Sequence, residues 1–121
     1  VIRRLEGPEL AAYDVVEPRL AARVRIVKVP VLARGADAMT IGRWVLVRDD
    51  QDRRGTRELL AHELVHVRQY AERGSVRFLV KYLRDYLSEL RATHNHHDAY
   101  LAIPDECEAR REAAEWTQRR P

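Results

Sequence analysis

The stretch Leu60-Ala61-His62-Glu63-Leu64-Val65-His66-Val67 constrains this chain more than any other, because it spells His-Glu-x-x-His inside a segment with helical periodicity. At 3.6 residues per turn, positions i and i+4 lie one above the other, so a helix brings the imidazoles of His62 and His66 to one side. Glu63 stands about 100° further round. Two nitrogen ligands, a carboxylate in reach of a metal-bound water and an open coordination position are what a zinc hydrolase requires. The competing reading is a pair of helix-surface histidines beside a solvated glutamate, so the rest of the chain has to decide.

The flanking residues predict a helix over about 57–73. Thr56 is placed to cap it, Glu58 complements its N-terminal dipole, and Gly74 after Arg73 supplies a stop. Leu60, Leu64, Val67 and Ala71 form one stripe, and Leu59, His62, His66 and Tyr70 another, so one face is free to bury itself while the other presents a metal.

Upstream, Pro8 to Val16 and Pro18 to Arg23 read as short helices or turns, with proline suited to a first turn. Val24, Ile26 and Val29 predict a strand at about 24–29, ended by Pro30. Pro30 to Ala38 reads as a connecting loop. Met39 to Arg48 reads as two strands around Gly42-Arg43, where glycine at the first central position suits a type II′ hairpin. Asp49 to Gly55 is polar and turn-rich and ends the sheet. The economical expectation is a small antiparallel sheet of about three strands.

Beyond Gly74, Val76, Leu79, Val80, Leu83, Tyr86, Leu87 and Leu90 recur at three- and four-residue intervals. This amphipathic helix is expected to be core, with Tyr82 and Tyr86 as packing residues. Thr93 to Asp98 is expected as a polar loop, whose three further histidines lack the rigid element that would fix a second metal site. A last helix begins near Pro104, with Ala, Glu and Arg throughout.

With 121 residues, 45% of them hydrophobic, the chain is expected to form a single domain over 1–121 that needs no disulfide. The single cysteine, Cys107, leaves histidine and carboxylate as the metal ligands. No apolar run reaches the length of a membrane span, and the start lacks the apolar region of a secretory signal, so a soluble cytoplasmic protein without a membrane partner is expected. The net charge is +3, but the arginines are strewn among 19 acidic residues without a basic run or an aromatic stacking pattern. Nucleic acid is therefore not expected as a partner.

The final helix carries Glu106-Cys107-Glu108-Ala109. Together with His62-Glu63-x-x-His66 it resembles the gluzincin-type zinc peptidases, in particular the minimal gluzincins, or minigluzincins, and small bacterial zinc-peptidase-like domains. In that group a later helix bears Glu-x-x-Ala, and its glutamate is the third zinc ligand. The resemblance spans roughly residues 38–116. It implies an α+β, zincin-like fold, with the sheet packed against an active-site helix and two further helices. It implies Zn2+ held by His62, His66 and Glu106, with Ala109 small enough to let the two helices approach. Glu108 and Glu112 compete for the third-ligand position. Many gluzincins place an aspartate where Arg110 stands, so the group that orients a histidine has to come from elsewhere. The metzincin pattern is excluded, since it requires Gly and His where Gln69 and Glu72 stand.

The function this implies is a zinc-dependent endopeptidase acting on a peptide or protein substrate. Glu63 would serve as general base, and Tyr100 or His97 would steady the oxyanion. By the same resemblance, the strand around Trp44 to Val47 would offer its edge to an extended peptide. The rival is a catalytically silent, zinc-stabilised interaction module of a larger bacterial assembly.

Overall fold

The computed structural model describes residues 2–32 and 36–120. In order, the elements are β1 (Ile2–Arg4), α1 (Gly7–Ala12), α2 (Pro18–Ala21), β2 (Arg25–Lys28), β3 (Ala38–Ile41), β4 (Trp44–Val47), α3 (Glu58–Arg73), α4 (Ser75–Thr93), α5 (His96–Ala102) and α6 (Pro104–Arg119). The architecture is α+β, as expected. Of the predicted connecting loop, residues 33–35 lie outside the described ones.

The sheet departs from the expectation in number and sense. It has four strands in the order β1-β2-β4-β3, and β2 pairs with β4 in parallel, Ile26 opposite Val45. The hairpin explains why. β3 takes the far edge and β4 returns antiparallel to it, with Thr40 opposite Val45, filling the gap beside β2. At the turn Gly42 has φ +63°. Arg43 is not among the described residues with positive φ, which fits type II′ and excludes type I′. The strand Trp44–Val47 is thus interior, paired on both sides, and the free edge beside the motif helix belongs to β3.

β1 escaped prediction because three residues carry no period. A buried ion-pair cluster holds it. The Arg3 guanidinium grips Asp50 through Nε and Nη2, both at 2.7 Å, and Glu9 through Nη1 at 2.7 Å and Nη2 at 3.0 Å. One arginine thereby ties the first strand to α1 and to the segment after β4.

The core lies between the sheet and helices α3 and α6. Val24, just before β2, and Ile26, Val45 and Val47 from the strands meet Leu60, Leu64 and Val67 of α3 and Ala113 and Trp116 of α6. Trp116 donates its indole N–H to the Ala12 carbonyl at 2.9 Å. The predicted cap of α3 is displaced by one residue. Arg57 is the N-cap and donates its backbone N–H to the Tyr13 hydroxyl at 3.1 Å, so a tertiary contact takes the place of a Thr56 cap. Gly55, just before it, has φ +87°, and a Cβ there would lie 2.7 Å from the Cβ of Ala12. Only glycine lets the α3 entrance close on α1.

The polar-loop expectation for Thr93 to Asp98 gives way to a helix break and restart. His94 takes a left-handed conformation, and Asn95 caps α5 by accepting from the Asp98 N–H. The larger correction concerns α4. Its apolar stripe is not core, since Phe78 is its one buried residue among those described, while Val76, Val80, Leu83 and Leu87 are exposed. No helix among the described residues is long and apolar enough to cross a membrane.

Candidate metal centre

α3 carries the motif histidines where the helix is most buried, and α6 packs across it through Ala109 and Ala113, both inaccessible to solvent. These small side chains let the first turn of α6 bring Glu106 to the imidazoles. Glu106 Oε1 lies 3.1 Å from His62 Nε2 and 3.0 Å from His66 Nε2. One ligand atom from each of the three residues lies within 4.8 Å of the others, a group suited to hold a metal ion. The spacing fits a small tetrahedral cation. Bonds of about 2.0–2.1 Å to nitrogen and oxygen make tetrahedral edges of roughly 3.3 Å.

The orientation of His66 is fixed from behind. Its Nδ1 donates to Gln69 Oε1 at 2.7 Å, which leaves the Nε2 lone pair for a metal. The Gln69 amide is itself fixed, because its Nε2 donates to the Asp105 carbonyl at 3.1 Å and to Glu108 Oε1 at 2.8 Å. With the NH2 group committed to acceptors, the amide oxygen faces the imidazole. An amide carbonyl thus orients this imidazole. Arg110 donates to the Leu101 carbonyl. Asp105 binds α6 back to α3 by accepting from Arg73 Nη1 at 2.7 Å.

Glu63 is buried beside the trio but outside it, with Oε2 4.0 Å from His62 Nε2. The Thr40 hydroxyl donates to its Oε1 at 2.9 Å, linking the edge strand to the motif helix. Burial pushes the Glu63 carboxyl upward from its ordinary range, against the pull of His66, His62 and Thr40. Burial also opposes ionisation of Glu106, yet the two imidazoles and the Tyr82 hydroxyl hold it well below the usual carboxylate range. For His66, burial works against the charge, and the Glu106 carboxylate outweighs it, raising the imidazole. Two tyrosines close the site, Tyr82 donating to Glu106 Oε2 at 2.7 Å and Tyr100 to Oε1 at 3.0 Å. Burial and the neighbouring Glu106 charge push both phenols up, so both remain hydrogen-bond donors.

Residues 21–74 match the family model of the eCIS core domain. The match covers under half of the chain and takes in the last three strands and the motif helix, with Thr40, His62, Glu63, His66 and Gln69. Glu106, Tyr82 and Tyr100 lie beyond it. No curated protein and no solved structure matches the chain.

Inside and outside the matched segment, the structure sorts the candidates. His62, His66, Glu106, Glu63 and Tyr100 come together. Glu108 and Glu112 turn to Arg68, which donates to Glu112 at 2.7 and 2.6 Å and to Glu108 at 3.1 Å, so neither belongs to the group formed by His62, His66 and Glu106. His97 is corrected as well. It is exposed on α5, whereas its neighbour His96 meets the Tyr86 hydroxyl at 2.7 Å. Three residues at the site went unseen in the sequence. Gln69 was legible, since it stands three residues after His66 on the same helix face. Tyr82 belongs to an aromatic row, Phe78-Tyr82-Tyr86, at four-residue spacing, and that row rather than the aliphatic one faces inward. Thr40 gave no signal, since a lone threonine in a strand is unremarked.

Proposed function

We propose that this chain is a zinc-dependent endopeptidase module, with His62, His66 and Glu106 as metal ligands and Glu63 as general base. Bound there, zinc would lower the pKa of a water molecule and polarise a scissile carbonyl. The chain's own residues supply the rest. Glu63 takes a proton from the attacking water and returns it to the leaving amine, with Thr40 holding one carboxylate oxygen in place. Tyr82 and Gln69 fix Glu106 and His66. Tyr100, whose hydroxyl shares Glu106 Oε1 with the imidazoles, is the donor assigned to the developing oxyanion. The free edge of β3, next to Glu63 through Thr40, would take an extended peptide by backbone pairing, which tolerates many sequences.

The observation that carries this reading is Glu63 itself. A purely structural metal site has no use for a buried carboxylate oriented beside the ligands and left out of their set. In zinc-loaded protein, Glu63→Gln is expected to lower turnover of a mixed peptide library by about 10²-fold or more while zinc content stays at the wild-type level. Zinc-loaded wild type that cleaves nothing in such a library contradicts the proposal.

The match to the eCIS core domain, a domain of extracellular contractile injection systems, supports a second reading as a zinc-stabilised module of a larger assembly. In that case chelation lowers the melting temperature, and Glu63→Gln alters neither stability nor partner binding.

A further inference from the structure

The outward face of α4 is built as the seam of a helix pair. Val76, Val80, Leu83, Leu87 and Leu90 are separated by four, three, four and three residues, the alternation of the two core positions in a coiled coil. Val76 is 76% exposed, Val80 59%, Leu83 57% and Leu87 47%, so this seam is open along most of the helix. The helix does not need that face for the domain's own packing. Its inward row does that, with Phe78 stacked 4.0 Å from Tyr70, Tyr82 on Glu106 and Tyr86 on His96.

One flank of the seam is a row of cations. Arg77, Arg84 and Arg91 each follow a seam residue at seven-residue spacing. All three are exposed, and none forms an ion pair among the described residues, whereas Lys81, elsewhere on the helix, is committed to Asp85 at 2.7 Å. The opposite flank holds Leu79, Tyr86 and Thr93, with no carboxylate. We propose that this face of α4 docks an amphipathic helix of another protein, one with a matching four-three apolar repeat and acidic residues along the row that meets the arginines.

A second copy of this chain does not meet that requirement. Antiparallel pairing of two α4 helices sets the arginine row against itself, and parallel pairing sets it against the neutral flank. An anionic membrane is also a poorer match. Helices that lie in a lipid interface carry aromatic residues on the buried face and cations around a broad polar face. Here the aromatics turn inward, the open face is aliphatic, and the unpaired cations of the seam keep to one flank.

The test uses two synthetic three-heptad peptides with leucine at the seam positions, one carrying glutamate on both flanks and the other lysine. Titrated against the whole chain, the glutamate peptide is expected to bind at least about tenfold more tightly, with the difference shrinking as salt rises. The double variant Arg84→Glu with Arg91→Glu should reverse the order, and Leu83→Asp should abolish binding of both, each retaining the wild-type circular dichroism. Those substitutions lie on solvent-facing positions, so the fold is spared. Equal binding of the two peptides, or an order unchanged by the charge reversal, overturns the proposal. So does wild-type self-association that Leu83→Asp removes, or binding to phosphatidylserine vesicles without any peptide preference.

Discussion

The hydroxyl of Thr40, on the free edge strand, donates to Oε1 of Glu63 on the motif helix at 2.9 Å and to that residue's backbone carbonyl at 3.1 Å. Sheet and proposed general base are thereby joined through one side chain. A hydrogen bond to a charged group is worth about 1.5–3 kcal/mol. If most of it goes to positioning the base, Thr40→Val lowers kcat by roughly 10- to 100-fold and leaves zinc content unchanged. Unaltered kcat would show that the hydroxyl only packs.

Gln69 predicts a different signature. Removing the amide that fixes His66 should weaken metal binding, by roughly 10- to 100-fold for a group of this kind. Competition with a fluorescent zinc chelator measures it directly. Gln69→Leu is the variant of choice, because it also removes the donor that Glu108 and the Asp105 carbonyl now accept from. Wild-type affinity in that variant would relieve Gln69 of its role.

Arg3 is a stability prediction. Its loss leaves Glu9, with no solvent access, and the buried Asp50 without their guanidinium. Breaking a buried pair on one side costs about 3–5 kcal/mol. In a domain of this size that is a fall in Tm of roughly 10–20 °C for Arg3→Met. The same change at exposed Arg4 should shift the melt little.

Acid sensitivity should be traceable to Glu112. The bidentate Arg68 guanidinium holds the Glu112 carboxyl below its ordinary value of 4.5. A carboxylate with a depressed folded pKa contributes stability above its unfolded pKa and loses that contribution as pH falls through the folded one. Wild type should therefore melt above Glu112→Gln at about pH 6, and the gap should close as the pH drops below the unfolded value. A gap independent of pH would remove the ion pair from the acid response.

Local periodicity carried the parts of this account that depend on one element at a time. The Leu60, Leu64 and Val67 stripe of α3, which stops short of the exposed Ala71, the Gly42-Arg43 hairpin and the proline-led start of α6 follow from residue spacing and turn chemistry, and the place of Glu106 beside the histidines from a motif match. What failed to show in the sequence depends on partners distant along the chain. β1 is held by Arg3 reaching Glu9 and Asp50, and Thr40 acts only because the hairpin lays β3 beside α3. The α4 pattern is strong, yet the neighbours of the helix decide which of its faces is buried. Amphipathic spacing reveals that a helix has an apolar face, but here the buried row is aromatic and the more regular aliphatic row is left to solvent. His97 lies close to α6 in sequence, but the turn of α5 carries it outward.

The central claim is that two halves of one metal site, forty residues apart, meet at Glu106 Oε1. Mass-spectrometric zinc content of wild type, His62→Ala, Glu106→Ala and Glu108→Ala, each checked for folding by circular dichroism, tests it most directly. The account predicts one zinc per chain in wild type and Glu108→Ala, and its loss in His62→Ala and Glu106→Ala. Zinc retained by a folded Glu106→Ala and lost from Glu108→Ala would contradict it.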